Sequence, residues 1–176
     1  MRIARIIFIC TLSVVGFLAS GFDVASADEN TIKIVSSFPR TGSSNGQTTA
    51  MVNGIKMALD KVNYKIGNYT VAYEDWDDAS PQKGTWDPSI EAANADKAIS
   101  DPDVVAVIGP YNSGAAKVSA PKLNKAGLLQ VSPSVTYPGI TKPGKGEPSE
   151  PAVYRPSGQV SFFRVVPGDD VQGAKG

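Results

Sequence analysis

Residues 104–114 read Val-Val-Ala-Val-Ile-Gly-Pro-Tyr-Asn-Ser-Gly, and this stretch decides the fold class. An unbroken apolar run of this length is typical of a β-strand that is buried on both faces of a parallel sheet. The glycine after it begins a tight loop, and Ala115 to Lys125 predicts a helix that Pro121 kinks or ends early. A strand that passes through a tight loop into a helix is the repeating unit of parallel α/β sheets.

The same alternation continues on both sides of this stretch. Further strands are predicted at 31–36, 69–73, 128–131 and 160–166. An apolar stripe at helical spacing from Met51 to Val62 predicts a first helix. Asp87-Pro88 is a suitable N-cap and first turn for a second helix that ends near residue 100. We therefore predict an α/β fold, a Rossmann-like lobe with three layers, a parallel sheet and right-handed crossovers.

Two connections in this scheme are predicted to be loops. The first is acidic and contains tryptophan, and it runs from Glu74 to Trp86. The second is rich in glycine and proline, and it runs from Pro138 to Gly168 around the last predicted strand. After it, Asp169 has the residue type of an N-cap and predicts one more helix.

Composition excludes several kinds of chemistry. The chain has 176 residues, with 17 Lys and Arg against 17 Asp and Glu, no His and one Cys. The even charge balance argues against a nucleic-acid partner. Without histidine there is no His-based triad or His general base, and a single cysteine excludes an intrachain disulfide and a Cys-cluster metal site. We therefore expect no metal and no cofactor.

The N-terminus has the three parts of a secretory signal peptide. Arg2 and Arg5 precede an apolar run from Ile6 to Leu18, and the small residues Ala25-Ser26-Ala27 follow. The run is too short for a transmembrane anchor, which needs about 20 apolar residues. We predict that residues 1–27, including Cys10, are a signal peptide and that residues 28–176 are the exported domain.

The loop after the strand at 104–108 is the first candidate site. Gly109 and Gly114 have the spacing of a phosphate-binding loop, but Ala115-Ala116 stand where that loop needs Lys and Ser or Thr. What remains is a helix N-terminus with free N–H groups and the hydroxyl of Ser113, which suits a small anion such as a carboxylate. The alternative is that Ser113 only caps its helix.

Two more loops follow predicted strands and carry hydroxyl and amide groups. Ser132 to Thr136 offers Ser134 and Thr136, and Thr41 to Thr48 offers Gln47 among other polar side chains. Because the carboxyl ends of parallel strands lie at one edge of a sheet, we expect these loops to share a single rim. The alternative for the first of them is a plain Ser/Pro turn.

The acidic sequence Glu74-Asp75-Trp76-Asp77-Asp78 allows three interpretations. Clustered carboxylates hold Ca²⁺ or Mg²⁺ in some proteins, and paired carboxylates act as acid and base in others. The spacing lacks the glycine and final glutamate of an EF-hand, so a solvated acidic loop is favoured. An exported hydrolase that uses Asp75, Asp77 or Asp78 stays as a competing hypothesis.

Four segments in order resemble one family. They are IKIVSSFPRTG at 32–42, NGIKMALDKVN at 53–63, VAVIGPYNSGAA at 105–116 and LLQVSPSVTYPGIT at 128–141. Together they resemble the N-terminal lobe of a type I periplasmic binding protein, in the branched-chain amino-acid group of ABC-transporter substrate-binding proteins.

The resemblance implies a site. In the family, the loops that match Ser113 and Ser134 with Thr136 bind the α-amino and α-carboxylate groups of the ligand. Tyr111 lies near the pocket by position, and Gln47 falls where some members have an aromatic residue. Binding of this kind needs hydroxyl groups and backbone N–H groups, and no catalytic group.

The resemblance also implies a function and a larger protein. It implies a periplasmic, non-enzymatic component of an ABC importer for branched-chain or related amino acids, with an ABC permease as partner of the full-length protein. The same lobe in a ligand-sensing receptor or regulator for a small amide or polar solute is the alternative. Family members close two lobes on the ligand, so we expect this chain to be one lobe of two.

Overall fold

The computed structural model describes residues 30–173, so the predicted signal peptide lies outside the described residues. The strands are β1 Thr31–Phe38, β2 Lys65–Ile66, β3 Tyr69–Asp77, β4 Ala79–Ser80, β5 Thr85–Trp86, β6 Val104–Ile108, β7 Leu129–Ser132 and β8 Phe162–Arg164. The helices are α1 Asn45–Lys61, α2 Pro88–Ser100, α3 Ser113–Lys125 and α4 Asp169–Gln172. Within residues 30–173, no helix combines the length and apolarity needed to cross a bilayer.

Six of the strands form one sheet in the order β2-β3-β1-β6-β7-β8. Every pair in it is parallel except β2 with β3, which is a short antiparallel contact at the edge. β1 lies between β3 and β6, and its second half is fully buried. The predicted parallel α/β fold is confirmed.

The helices cover the two faces of the sheet unequally. Val35 of β1 belongs to a core with α2 and α3 residues such as Ala95 and Leu123. Its neighbour Ile34 points to the opposite face and lines a groove with Met51 of α1. The layers are therefore α1, the sheet, and α2 with α3, as the right-handed crossover rule requires.

The most apolar strand is less enclosed than its sequence predicts. Val104 and Val107 of β6 are buried, but Val105 is 42% exposed. The register between β1 and β6 shifts after Lys33, where Val105 has no partner on β1. Burial on both faces was therefore wrong for this residue, because the shift displaces it from the regular alternation.

The acidic segment is not the solvated loop that was predicted. β3 continues through Glu74 to Asp77, because the whole second half of β1 is available as its parallel partner, as far as Phe38 with Asp77. The rest of the segment forms the antiparallel pair of β4 and β5. Hydrogen bonding to a buried neighbour outweighs the low strand propensity of aspartate here.

The helix starts are partly as predicted. The side chain of Asp87 accepts a hydrogen bond from Ser89 N at 2.9 Å and caps α2, as predicted. Helix α3 does not end early at Pro121 but continues to Lys125. At α4 the prediction was wrong, because Gly168 is the N-cap and Asp169 is the first helical residue. The last strand of the sheet is also shorter than predicted, at three residues.

The glycine- and proline-rich segment is irregular, as predicted, and one buried carboxylate holds it in place. Glu150 accepts hydrogen bonds from the hydroxyl groups of Tyr137 and Tyr154 and from Glu147 N. Lys117 of α3 forms an ion pair with the same carboxylate at 3.3 Å. These contacts attach the segment to α3 and so to the rim of the sheet.

Candidate functional site

A cavity of about 540 Å³ opens at the carboxyl end of the sheet. It is built by the start of α1, the loops after β6 and β7, and the segment that follows β8. The residues that line it are Gln47, Met51, Tyr111, Pro133, Ser134, Thr136, Val166, Pro167 and Gln172. Four of the five residues predicted for the site therefore meet in one cavity.

Hydrogen bonds connect the loops after β6 and β7. The Ser132 hydroxyl group donates to Pro110 O at 2.8 Å and accepts from Val135 N at 2.9 Å. The Ser134 hydroxyl group donates to Tyr111 O at 2.8 Å. Because these bonds join one loop to the backbone of the other, they set the distance between the two walls of the cavity.

A glycine lets the first of these loops leave the sheet. Gly109 has φ +130°, and a Cβ atom on it would lie 2.4 Å from Ser37 O. Only glycine tolerates both this backbone conformation and such a close approach to β1. The prediction that Gly109 begins a tight loop is confirmed, and the contact with β1 explains why the loop needs glycine.

Tyr111 and Gln47 make contact across the cavity. The hydroxyl group of Tyr111 donates a hydrogen bond to the side-chain carbonyl oxygen of Gln47. This bond uses the carbonyl of the Gln47 amide and leaves its NH₂ group as a donor. The two residues are 64 positions apart in the chain, so only the fold brings them together.

Ser113 is placed differently from the other predicted residues. It is the first residue of α3, whose N-cap is Asn112, and it does not line the cavity. Its hydroxyl oxygen accepts a hydrogen bond from Tyr137 N at 3.3 Å. It therefore does not cap its own helix, and it supports the loop that carries Thr136.

Thr136 does line the cavity. Its carbonyl oxygen accepts a hydrogen bond from Asp169 N at 3.0 Å, which connects the loop after β7 to the start of α4. In contrast, Thr48 of the third predicted loop is fully buried, and its hydroxyl group donates to Pro39 O at 2.8 Å. Thr48 therefore has a structural role.

Sequence reasoning missed most of the apolar wall. The sequence predicts Met51 only as part of the helical stripe, Val166 as the end of a strand and Pro167 as part of a loop, whereas all three line the cavity. A usable signal existed, since Val166-Pro167 follows the last strand of the sheet at its carboxyl end. None of the nine lining residues is charged, so this wall offers hydrogen bonds and apolar contact.

The acidic residues at the end of β3 are held by the protein itself. Asp75 forms an ion pair with Arg40 at 2.8 Å, and Asp77 accepts hydrogen bonds from Arg40 N and the Thr41 hydroxyl group. Hydrogen bonds from Lys33 and Trp76 hold the pKa of Glu74 at about 2. Among the described residues no group of three or more His, Cys, Asp or Glu side chains is arranged to hold a metal ion.

The fold and the rim define a class, the ligand-binding α/β lobe whose cavity lies at the carboxyl ends of parallel strands. A family model described as periplasmic binding protein matches residues 31–161. The chain belongs to the periplasmic binding protein family, and it has the fold of one lobe of the type I members. The predicted family and fold class are thus confirmed.

Named relatives agree with this assignment. A Leu/Ile/Val-binding protein, BraC3 from Rhizobium johnstonii, is 35% identical over 109 residues, which are 60% of this chain and 28% of that protein. The structure of the substrate-binding protein LivJ from Streptococcus pneumoniae in complex with isoleucine matches with a TM-score of 0.59 at 27% identity. That match covers 79% of this chain and 34% of LivJ.

A third relative carries a different ligand. A solute-binding protein of an ABC transporter from Rhodopseudomonas palustris, in complex with 3,4-dihydroxy benzoic acid, matches with a TM-score of 0.63 at 19% identity. The match covers 80% of this chain and 33% of that one, and at this identity it supports the fold alone. This chain thus spans about a third of the length of its solved relatives.

Proposed function

We propose that residues 28–176 are the ligand-binding lobe of an extracytoplasmic solute-binding protein that serves an ABC importer. Residues 1–27 are its export signal, and an ABC permease is the partner of the full-length protein. The observation that carries the proposal is the convergence of Gln47, Tyr111, Ser134 and Thr136 on one uncharged cavity at the rim of the sheet.

The proposed ligands are branched-chain amino acids or related small carboxylates. The relative named for Leu, Ile and Val and the complex with isoleucine support the first class. The second class is included because a protein of the same fold holds a dihydroxybenzoic acid. Both classes combine a carboxylate with an apolar body. The hydroxyl group of Thr136 and the amide of Gln47 are suited to the carboxylate, and Met51, Val166 and Pro167 are suited to the apolar part.

The proposed mechanism is capture by hydrogen bonds followed by closure of a second lobe. The groups that bind the ligand are hydroxyl, amide and backbone N–H groups, so no catalytic step is involved and the function is binding. One lobe covers only part of a small ligand, whereas typical sites bury most of the ligand surface. This chain alone should therefore bind with a dissociation constant on the order of millimolar.

A nuclear magnetic resonance titration of the purified chain tests the proposal. Leucine, isoleucine, valine and benzoate are added separately, and we expect one class to shift the backbone amides at residues 111 and 134–136. Thr136→Ala should raise the dissociation constant fitted from these shifts at least about threefold, since it removes a hydrogen bond to a charged group. The matched control is Thr70→Ala, because Thr70 is exposed and far from the rim in the sheet register.

The outcomes separate the alternatives. Shifts at the rim with the amino acids alone assign the first ligand class, and shifts with benzoate alone assign the second. The absence of rim shifts with all four compounds at saturating concentration contradicts the proposal. Micromolar binding would contradict the expectation that one lobe binds weakly.

A further inference from the structure

Two buried carboxyl groups lie behind the rim, outside the cavity. Asp78 follows the last residue of β3 and is fully buried, and neither of its carboxylate oxygens has a hydrogen-bond partner among residues 30–173. Glu91 lies in the first turn of α2 and is 1% exposed, and its Oε2 accepts a hydrogen bond from the Ser37 hydroxyl group at 2.6 Å. A polar group buried without a partner is costly, so this arrangement needs an explanation.

Neither carboxyl group has a cation as an ion-pair partner among residues 30–173. The charged group that acts on Asp78 is the preceding residue, Asp77, and the charged group that acts on Glu91 is Asp78. From β1 and α3, the hydroxyl groups of Ser37 and Ser119 form hydrogen bonds with the Glu91 carboxyl group.

Burial without a cation favours the neutral form of both groups. It raises the pKa of Asp78 to about 7, with the nearby negative charge of Asp77 adding to the effect. It also raises the pKa of Glu91 to about 8, against the opposing hydrogen bonds from Ser119 and Ser37. Two backbone hydrogen bonds connect the residues through Asp87, whose N–H donates to Asp78 O at 2.7 Å and whose carbonyl oxygen accepts from Glu91 N at 2.9 Å. The charge of Asp78 raises the pKa of Glu91, so the two carboxyl groups titrate as a coupled pair.

The pair sits where three elements meet. The backbone N–H of Asp78 donates to Phe38 O at the end of β1 at 3.0 Å. Its carbonyl oxygen accepts from Asp87 N at the start of α2 at 2.7 Å. Asn94 of α2 donates to both Asp77 O and the Ser37 hydroxyl group, each at 3.0 Å. A force between Asp78 and Glu91 therefore acts directly on the junction of β1, β3 and α2.

We propose that Asp78 and Glu91 form a buried proton-binding pair that holds the junction of β1, β3 and α2 closed while neutral and loosens it on ionisation. Release of a proton leaves a negative charge with no cation to balance it, and a second release sets two like charges against each other. Separation of α2 from the end of β3, with entry of water, relieves the cost of these buried charges. The device responds to pH between about 6 and 8, and it does not depend on which ligand the cavity takes.

The unmodified protein provides the first test. The side-chain carboxyl carbons of Asp and Glu are labelled with ¹³C, and the resonances of Asp78 Cγ and Glu91 Cδ are followed from pH 3 to pH 9. We expect both to titrate above pH 6. The protection factors of the Asp78 and Asp87 amides, corrected for intrinsic exchange, should fall at least tenfold over the same range. The Leu128 amide, bonded to Leu123 O at 2.9 Å, should hold its protection.

Substitution tests the coupling between the two groups. In Asp78→Asn, the midpoint of Glu91 should fall by at least about half a pH unit, because a neighbouring charge is gone. In the double variant Asp78→Asn with Glu91→Gln, the loss of protection above pH 6 should disappear. The control is Asp60→Asn on the exposed surface of α1, which should change neither result.

Two outcomes overturn the proposal. One is titration of both carboxyl groups below pH 5 in the unmodified protein, since the pair is then ionised throughout the neutral range. The other is an unchanged Glu91 midpoint in Asp78→Asn, which would show two independent groups. If a variant fails to fold, the titration and exchange measured on the unmodified protein decide alone.

Discussion

Gly109 shows how one residue determines the shape of the rim. Its φ of +130° and its lack of a Cβ, which would lie 2.4 Å from Ser37 O, allow the loop after β6 to turn beside β1. That turn carries Tyr111 into the cavity, where it meets Gln47 and the hydroxyl group of Ser134. The sequence predicts that Gly109 begins a loop. It does not predict the contact with Ser37, which lies on a strand about 70 positions earlier in the sequence.

Gly109→Ala should destabilise the protein by about 1–3 kcal/mol, because the new Cβ meets backbone atoms and the φ angle is unfavourable for alanine. Urea unfolding followed by circular dichroism measures the change. Gly54→Ala is the matched control, since Gly54 lies inside α1 with no heavy atom within 4 Å of the added Cβ. The control should gain about 0.5–1 kcal/mol, as alanine does over glycine within a helix. Equal effects at the two positions would contradict this account.

The serines of the rim show what side-chain chemistry alone leaves open. Ser113 and Ser134 have the same residue type and both follow a parallel strand. The structure directs Ser134 to the cavity wall, whereas the hydroxyl group of Ser113 accepts a hydrogen bond from Tyr137 N. The sequence predicts that both serines lie at the rim, because the end of a strand can be recognised from a local pattern. Their orientation depends on neighbours from other loops, which local patterns do not contain.

At the scale of elements, α2 is the clearest case of a locally encoded structure. Asp87 has extended backbone angles and its side chain accepts from Ser89 N, while Pro88 occupies the first turn. β3 is the opposite case, because its acidic second half is extended only where β1 supplies a partner. The start of α2 was predictable for this reason, and the end of β3 was not.

Asp87→Ala should reduce the free energy of unfolding by about 0.5–2 kcal/mol through loss of the cap of α2. The substitution also removes the ion pair with Lys83 at 3.0 Å, but that lysine is exposed and contributes little. Urea unfolding measures the total, and Lys83→Ala measures the ion pair alone. A loss in Lys83→Ala as large as the loss in Asp87→Ala would contradict a capping role.

At the scale of the whole molecule, the carboxyl groups fall into two sets with opposite effects on stability. Hydrogen bonds to Lys33 and to tyrosine hydroxyl groups hold the pKa values of Glu74 and Glu150 at about 2. A carboxyl group whose pKa is lower in the folded than in the unfolded protein stabilises the fold at pH values above its unfolded pKa, which is near 4. This stabilisation is lost as pH falls towards 2. Asp78 and Glu91 have raised pKa values, so their contribution is complete below about pH 4 and is lost as pH rises through 7 and 8.

The unfolding free energy should therefore pass through a maximum near pH 4, close to the unfolded pKa values of the carboxyl groups, and decline on both sides. Urea unfolding at intervals from pH 3 to pH 9 gives the profile. In Asp78→Asn the decline on the alkaline side should become shallower, since one of the two groups that ionise there has been replaced. A stability that continues to rise from pH 5 to pH 8 would contradict the assignment of the buried pair.

The sequence by itself determined the α/β class, the order of the five parallel strands and the helices between them, the loops of the rim and the resemblance to the family, because periodicity, caps and turns are short-range signals. The short strands β2, β4 and β5 were not predicted. Only the tertiary structure decided that β3 extends to Asp77, that the Ser113 hydroxyl group bonds to Tyr137 N outside the cavity lining and that Val166 and Pro167 line the cavity. It also decided that Asp78 is buried without a cation. Each of these depends on contacts between residues far apart in the chain, where strand pairing and desolvation outweigh local preference.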